Sequence, residues 1–177
     1  DVWANVYGFD TTKFPDGGPT TAADFYDLAK FPGKRGLRKG ARYNLEFALM
    51  ADGVKAADVY KVLGTKDGAD RAFKKLGELK PHIQWWEAGA LPPQFLVAGD
   101  VAMTSAFSGR IDAAQREGQN LKITWTGGIY DLDFWVMPKG VDGLPDPTNR
   151  KTILGSAAGP VALEMGPDGS LYYADLG

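Results

Sequence analysis

The chain has 177 residues, of which 44% are hydrophobic and 12% aromatic, and this is enough for one globular domain with a substantial core. Lys and Arg total 20 against 22 Asp and Glu, and no block of basic residues is longer than short pairs such as Lys34-Arg35 and Arg38-Lys39. Because phosphate binding requires a concentrated basic face, this distribution argues against nucleic acid as a partner.

Cysteine and long apolar segments are also missing from the sequence. The cysteine count of 0 excludes disulfides and thiolate metal sites. The longest apolar runs, Phe47 to Ala51 and Phe134 to Met137, are far shorter than the roughly 20 residues that cross a bilayer, so we expect no membrane insertion. The first residues lack the basic and apolar regions of a signal peptide, and we expect a processed or excised piece of a protein.

Strand patterns alternate with helical patterns along most of the chain. Strand patterns are runs of β-branched and aromatic residues, whereas helical patterns space apolar residues three and four positions apart. Thr20 or Thr21 is expected to cap the first helix, whose apolar face includes Leu28 and Ala29. In chain order, the sequence predicts a strand at 2–9, a helix from 20 or 21 to Pro32, an extended segment at 35–37, helices at 45–50, 56–63 and 67–79, a strand at 83–86, a helix at 92–98, a strand at 101–105, a helix at 108–117 and strands at 122–125 and 133–137. This order predicts an α/β fold in which helices cover a sheet.

The composition changes at Lys139. The run KGVDGLPDPTNR is dense in Gly, Pro, Asp and Asn, which is typical of a linker or long loop. Residues 160–175 predict two short strands joined through Pro167-Asp168-Gly169, because Asp-Gly favours a tight hairpin turn. We therefore divide the chain into one domain over 1–140 and a linker with a hairpin over 141–177. A lone hairpin is only marginally stable, so we expect it to pack on another part of the protein.

Aromatic and acidic residues are concentrated in two places. Asp131 and Asp133 are two residues apart, so in a strand both side chains point to the same face. Carboxylates bind ammonium groups, and aromatic faces bind cations, so such a face could line a binding cleft; ordinary solvated charges are the alternative. Trp85 and Trp86 are consecutive, so at most one of them can face a given cleft, and that one is a further ligand candidate. His82 is the only histidine, which argues against a metal site or a histidine-based triad.

Four stretches, in this order, resemble the second lobe of polyamine-type solute-binding proteins of ABC importers. They are TAADFYDLAKFPGKRGL (21–37), EFALMADG (46–53), AGDVAMTSAFSGRI (98–111) and GGIYDLDFWVMPKG (127–140). The resemblance covers about residues 1–140 and implies one lobe of a type II periplasmic-binding-protein fold, in which two α/β lobes close over a solute. It further implies a small cationic solute such as putrescine or spermidine, an ABC permease as the partner of the full-length protein, an extracytoplasmic location, no cofactor and no enzymatic activity.

The resemblance also implies individual solute contacts. Asp133 aligns with an acidic residue that binds an amine, Asp131 aligns with an aromatic position of the family, and Phe107 aligns with an aromatic residue that packs on the polyamine. Gly40 and Tyr43 stand where the family has a second pair of carboxylates. This departure leaves open a shorter amine, an amino-acid-derived cation or another small polar solute, with Tyr43 as a candidate contact.

Residues 148–177 resemble a blade segment from the β-propeller of soluble sugar dehydrogenases that use a quinone cofactor. One blade cannot form a propeller, because blades bury their faces against neighbours, and the segment carries none of the catalytic apparatus. Two unrelated resemblances in one chain point to a chimera, a fusion or a gene rearrangement. The leading hypothesis is a solute-binding lobe with weak or no affinity on its own. A self-associating structural module and a sugar oxidoreductase fragment are the alternatives.

Overall fold

The computed structural model describes residues 2–132 and, for the backbone alone, residues 160–165 and 171–175. The chain divides into two compact units. One is Ala4–Ile129, and the other comprises Asp1–Trp3 and Tyr130–Gly177. The α-helices of the described residues are α1 (Ala22–Tyr26), α2 (Asn44–Ala51), α3 (Val59–Leu63), α4 (Lys66–Leu79), α5 (Leu91–Ala98) and α6 (Ser108–Arg116). The strands are β1 (Val2–Asp10), β2 (Arg35–Arg38), β3 (Ile83–Trp86), β4 (Met103–Phe107), β5 (Leu121–Leu132), β6 (Pro160–Met165) and β7 (Leu171–Asp175).

Five strands form one sheet in the order β3-β2-β4-β1-β5. Strand β2 runs parallel to β3 and β4, whereas β1 runs antiparallel to β4 and places Asn5 opposite Phe107 and Tyr7 opposite Ser105. The three parallel strands therefore end at one edge of the sheet, and Asn5 lies at that edge too. We call it the carboxyl edge. In open α/β sheets this is the edge at which ligands bind.

Helices cover both faces of this sheet. On one face the Tyr7 ring packs between Phe25 of α1 and Phe47 of α2, with ring centroids 4.9 and 4.6 Å apart. On the other face Gly8 leaves room for α6, because a Cβ atom there would lie 2.9 Å from Cδ1 of Ile111. The layered α/β arrangement predicted from the alternation of patterns is confirmed. A core cluster on the α5 and α6 side comprises Leu96, Val101, Ala106, Ile111, Ala114 and Leu121.

The first helix begins as predicted and ends early. Thr21 caps α1: its side chain accepts a hydrogen bond from the Asp24 amide, and the Asp24 carboxylate accepts one from the Thr21 amide. The predicted continuation through Leu28 and Ala29 is wrong, because α1 ends at Tyr26. The carboxylate of Asp27 accepts hydrogen bonds from the amides of Ala29 and Lys30, at 3.0 and 2.8 Å, and turns the chain away from the helix axis.

Arg35 ties the segment after α1 to the sheet. Its side chain is fully buried and donates to the carbonyl oxygens of Phe25, Gly33, Asp27 and Phe31 at 2.6, 2.7, 3.3 and 2.6 Å. Burial lowers the pKa of the Arg35 guanidinium to about 10, against the raising influence of Asp27, so the group stays charged at neutral pH. One buried cation therefore organises the whole turn between α1 and β2.

Most other predicted elements agree with the structure to within two residues. Strand β3 has the predicted bounds. Strand β4 begins at Met103 and not at Val101, since the amide of Ala102 donates to Lys34 before the ladder starts. Strand β5 extends to Leu132, and the predicted strand at 133–137 lies outside the described residues. On α4 the apolar face buries Ala72 and Leu79 but leaves Phe73 exposed.

The two strands predicted near the carboxyl terminus are present. Strands β6 and β7 pair antiparallel, with Leu163 opposite Tyr173. The predicted turn at 167–169 lies outside the described residues, and the division into 1–140 and 141–177 stays a prediction. Within the part of the chain that the structure describes, no helix has both the length and the apolar character needed to cross a bilayer.

Candidate functional site

Two of the predicted site residues meet at the carboxyl edge. Phe107 ends β4 and Trp86 ends β3, and their rings pack edge-on with centroids 5.6 Å apart and planes at 80°. Gly89 lies against the same ring, because a Cβ atom there would approach Cδ2 of Phe107 to 2.8 Å. Phe107 is thus held from two sides and remains half-buried, and its role as an aromatic contact for a solute stays a prediction.

The neighbouring tryptophan lies elsewhere. Trp85 is 44% exposed, whereas Trp86 is 1% exposed. Successive side chains of a strand point to opposite faces, so the pair divides as the sequence predicts. Trp86 joins Phe107, and Trp85 is not brought to this aromatic pair.

Tyr43 has an unusual backbone at the same edge. It precedes α2 with φ of 70°, and among the described residues it is the one non-glycine residue with a positive φ. Such a conformation costs of the order of 1–3 kcal/mol for a bulky residue and persists only where its surroundings enforce it. Two features hold this backbone conformation. The Tyr43 ring is buried, and the side chain of the next residue, Asn44, donates to the carbonyls of Arg38 and Gly40 at 2.6 and 2.7 Å.

The residues around Tyr43 are rich in positive charge. The guanidinium groups of Arg38 and Arg42 lie 5.9 and 5.0 Å from the centroid of the Tyr43 ring. Lys39 pairs with Glu87 at 2.9 Å, and this hydrogen bond and the Glu87 charge raise the pKa of Lys39.

A further cation and two helix ends complete this edge. Helix α6 begins directly after Phe107, and Arg110 is exposed in its first turn. Among the residues named here, the carboxylates Glu87 and the buried Glu46 of α2 are outnumbered by four basic side chains, those of Arg38, Lys39, Arg42 and Arg110. Helices α2 and α6 both begin here, and their amino-terminal ends add partial positive charge. The carboxyl edge is therefore suited to an anionic group.

Strands β1 and β4 carry three buried polar side chains near their pairing at Phe107. Asn5 is fully buried opposite Phe107, and neither its Nδ2 nor its Oδ1 has a hydrogen-bond partner. The same holds for the Ser105 hydroxyl and the Tyr7 hydroxyl. Burial, together with the nearby Tyr26, raises the pKa of Tyr7 well above its usual value. Sequence reasoning missed Asn5, although asparagine is rare inside a strand such as VWANVYGF, and this rarity was the available signal.

The two predicted carboxylates are placed differently. Asp131 is half-buried on β5 and belongs to the second compact unit, and Asp133 lies outside the described residues. Both stay predictions as amine-binding residues. Within the described residues, no group of three or more His, Cys, Asp or Glu side chains could hold a metal ion.

Comparison with known proteins places these features in a family. The sequence profile of a family described as bacterial extracellular solute-binding protein matches residues 3–144. The chain is 59% identical over 139 residues to the gamma-aminobutyric acid-binding protein of Pseudomonas aeruginosa, and the match covers 78% of this chain and 39% of that protein. The chain thus spans about two fifths of the length of this relative.

Solved structures agree with the sequence match. An ABC transporter substrate-binding protein from Bradyrhizobium japonicum is 42% identical with a TM-score of 0.65, and the match covers 73% of this chain and 39% of that one. The Atu4243-GABA receptor is 34% identical with a TM-score of 0.64 and the same coverage. These matches confirm the predicted periplasmic-binding-protein-like α/β fold and its single-lobe extent.

Other expectations from the sequence follow from the same matches. The family description confirms the expected extracytoplasmic location. The relatives are named as binding proteins or receptors, in agreement with the expectation of a non-enzymatic protein. The names of these three relatives do not mention a polyamine, and two of them mention γ-aminobutyrate, so the expected polyamine specificity is not confirmed. The chain belongs to the family of bacterial extracellular solute-binding proteins.

Proposed function

We propose that this chain is one lobe of the solute-binding component of an ABC importer, and that its solute is a small zwitterionic amino acid of the γ-aminobutyrate class. The observation that carries this proposal is the positive charge of the described carboxyl edge around the Phe107–Trp86 aromatic pair. Two relatives named for γ-aminobutyrate support it. In the full-length protein, an ABC permease is the proposed partner.

The charge at this edge distinguishes a zwitterion from a polyamine. Two like charges 4 Å apart near a protein surface repel by about 4 kcal/mol. A second ammonium group beside Arg38, Arg42 or Arg110 is therefore disfavoured, whereas a carboxylate is attracted and can accept hydrogen bonds from a guanidinium. The absence of carboxylates at Gly40 and Tyr43, where the polyamine-type family has them, points the same way.

The amine end of the solute needs other residues. We propose that Asp133 and Asp131, the two carboxylates singled out from the sequence, bind the ammonium group of the solute. As a separate proposal, also from the sequence, Phe107 packs on the methylene chain. The ring of Trp86 packs edge-on against the ring of Phe107. Polyamine binding through the same carboxylates is the competing proposal. A zwitterion needs an arginine to bind its carboxylate, whereas a polyamine has no group that an arginine would bind.

The test is an NMR titration of the ¹⁵N-labelled chain with γ-aminobutyrate and with putrescine. We expect γ-aminobutyrate to shift the amide signals of residues 107–110, with a dissociation constant near or above the millimolar range, because one lobe buries only one side of the solute. Arg110→Gln should weaken this response at least five-fold, and Asp133→Ala should weaken the response to both amines.

A matched control lies on the same helix. Arg116 ends α6 and pairs with Asp112, so Arg116→Gln removes an equal charge two turns from the edge and should leave the titration unchanged. A stronger response to putrescine than to γ-aminobutyrate, insensitive to Arg110→Gln, would establish the polyamine alternative and refute the zwitterion.

A further inference from the structure

Among the described residues, the dipeptide Asp-Gly occurs at 16–17, 52–53 and 67–68. In this dipeptide the aspartate carboxyl group lies close to the backbone nitrogen of the next residue, and glycine has no side chain that would shield this nitrogen. Attack of the nitrogen on the carboxyl carbon is the first step in the conversion of aspartate to isoaspartate. The step requires both groups to move, so its rate depends on how firmly the fold holds them.

The first of these dipeptides lies in an exposed β-turn between β1 and α1. Pro15 and Asp16 are the central residues of the turn, and the Gly17 amide donates to the carbonyl of Phe14 at 3.1 Å. Gly17 has φ of 119°, and a Cβ atom there would meet nothing within 4 Å. In the described part of the chain, no hydrogen bond or ion pair holds the Asp16 carboxylate. One exposed turn hydrogen bond is thus the main restraint, and such bonds open readily.

The other two dipeptides are held by their surroundings. The Asp52 carboxylate pairs with Nε of Arg71, and the Asp52 carbonyl accepts a second hydrogen bond from the same guanidinium at 2.7 Å. Asp67 lies in the first turn of α4, where Gly68 is buried and a Cβ atom on it would overlap the carbonyl oxygen of Val62. Neither backbone can rearrange without loss of an ion pair or of helix packing.

We propose that Asp16 is a site of spontaneous isomerisation to isoaspartate. The Gly17 nitrogen attacks the side-chain carboxyl carbon of Asp16, and the new C–N bond closes a succinimide ring. One water molecule leaves, made from the amide hydrogen and the carboxyl OH group. Addition of water to the main-chain carbonyl of the ring then breaks the original peptide C–N bond. The mass is restored, the backbone runs through the Asp16 side chain, and no oxidant or reductant takes part.

The turn lies between two aromatic contacts, so the longer backbone has a structural effect. Phe14 packs edge-on against Phe31 with ring centroids 5.4 Å apart. Gly18 lies so close to the Phe9 ring that a Cβ atom on it would overlap the ring. One additional methylene between these contacts displaces at least one of them. We therefore expect the isomerised chain to unfold at a lower temperature than the fresh chain. The proposal does not depend on the solute.

The test compares the three dipeptides within one sample. The chain is kept at body temperature and mildly acidic pH and is then digested with trypsin, which places the three dipeptides on the separate peptides 14–30, 43–55 and 67–71. Mass spectrometry with electron-transfer fragmentation identifies the isomerised residue. We expect isoaspartate to form at residue 16 at least five-fold faster than at residue 52 or 67. Equal rates at the three residues, or no product at residue 16, would overturn the proposal.

Two controls separate the fold from the local sequence. In urea the three rates should become similar, because the restraints are lost, and a preference for residue 16 that persists there would refute the structural argument. In the folded chain, Arg71→Gln removes the partner of Asp52 and should raise the rate at residue 52 at least three-fold, with no change at residue 16. An unchanged unfolding temperature of the isomerised chain would show that the contacts of Phe14 and Gly18 tolerate the longer backbone, and would overturn the expected structural effect.

Discussion

Asp24 gathers several hydrogen bonds at the start of α1. Burial alone would raise the pKa of its carboxyl group, but the Thr20 amide, the Lys30 ammonium and the hydroxyls of Thr20 and Thr21 outweigh burial and hold the pKa well below its usual range. A lowered pKa means that the folded state favours the ionised form. The resulting stabilisation is present above the pKa of the unfolded chain, near 3.9, and is lost as the pH falls from there through the folded value.

Asp24→Asn tests this residue by its pH dependence. We expect it to lower the free energy of unfolding by about 1–2 kcal/mol at pH 7, because the helix loses a charged cap and the pair with Lys30. Urea unfolding at a series of pH values should show the difference shrinking below pH ~4. Asp70→Asn breaks an exposed pair with Lys66 and should cost no more than about 0.5 kcal/mol at any pH. A deficit for Asp24→Asn that does not change with pH would contradict the electrostatic origin.

Single residues also show what the sequence could and could not predict. The alternation of a strand was enough to separate Trp85 from Trp86, and the threonine before Ala22 was enough to place a helix cap. The sequence could not show that Asn5 lies opposite Phe107, because that pairing joins positions about 100 residues apart. Register between distant strands depends on the whole sheet and not on local pattern.

At the scale of elements, the connection from α1 to β2 depends on one side chain. Four carbonyl oxygens of the turn accept hydrogen bonds from the planar guanidinium of Arg35. This arrangement also explains why the prediction extended α1 too far. Leu28 and Ala29 have helical spacing, but Asp27 and Arg35 bind the backbone of this segment in a turn.

The substitution Arg35→Lys keeps the positive charge but replaces the planar guanidinium with a single ammonium group. The four carbonyl oxygens are arranged around the several nitrogens of a guanidinium, and the single nitrogen of a lysine ammonium cannot reach all of them. We therefore expect a loss of about 2–4 kcal/mol in the free energy of unfolding. Arg71→Lys is the matched control, since Arg71 makes an exposed pair with Asp52 and its replacement should cost about 0.5 kcal/mol or less. Guanidinium chloride unfolding measures both. Equal small losses would show that the charge of Arg35 matters and its shape does not.

At the scale of the whole molecule, the chain spans 39% of a relative that is named for binding γ-aminobutyrate. A binding cleft buries roughly 70–90% or more of the surface of a small ligand, and one lobe can supply only part of that burial. The fold class followed from the alternation of strands and helices. The solute did not, because the polyamine-type resemblance and the basic carboxyl edge favour different molecules.

We predict that this chain alone binds γ-aminobutyrate at least 100-fold more weakly than the intact Pseudomonas aeruginosa relative, and that neither putrescine nor spermidine binds it tightly. Isothermal titration calorimetry under the same conditions measures both proteins. The reason is the loss of lobe closure, which contributes burial and hydrogen bonds from the opposite side of the cleft. Equal affinities would mean that the carboxyl edge holds the solute without a second lobe.

The packing of Trp86 against Phe107 also makes the candidate site optically visible. An indole that is shielded from water emits at shorter wavelength than one in solvent, and Trp86 is buried whereas Trp85 and Trp125 are exposed. Soluble quenchers reach the exposed rings first, so among the described tryptophans the fluorescence that survives them comes from Trp86 and the half-buried Trp3, and Trp3→Phe leaves Trp86 as the buried one. A change in the position of Phe107 alters the surroundings of that one fluorophore. The chain therefore carries an intrinsic reporter at its carboxyl edge, and a sensor for solute could be built on it without attaching a dye.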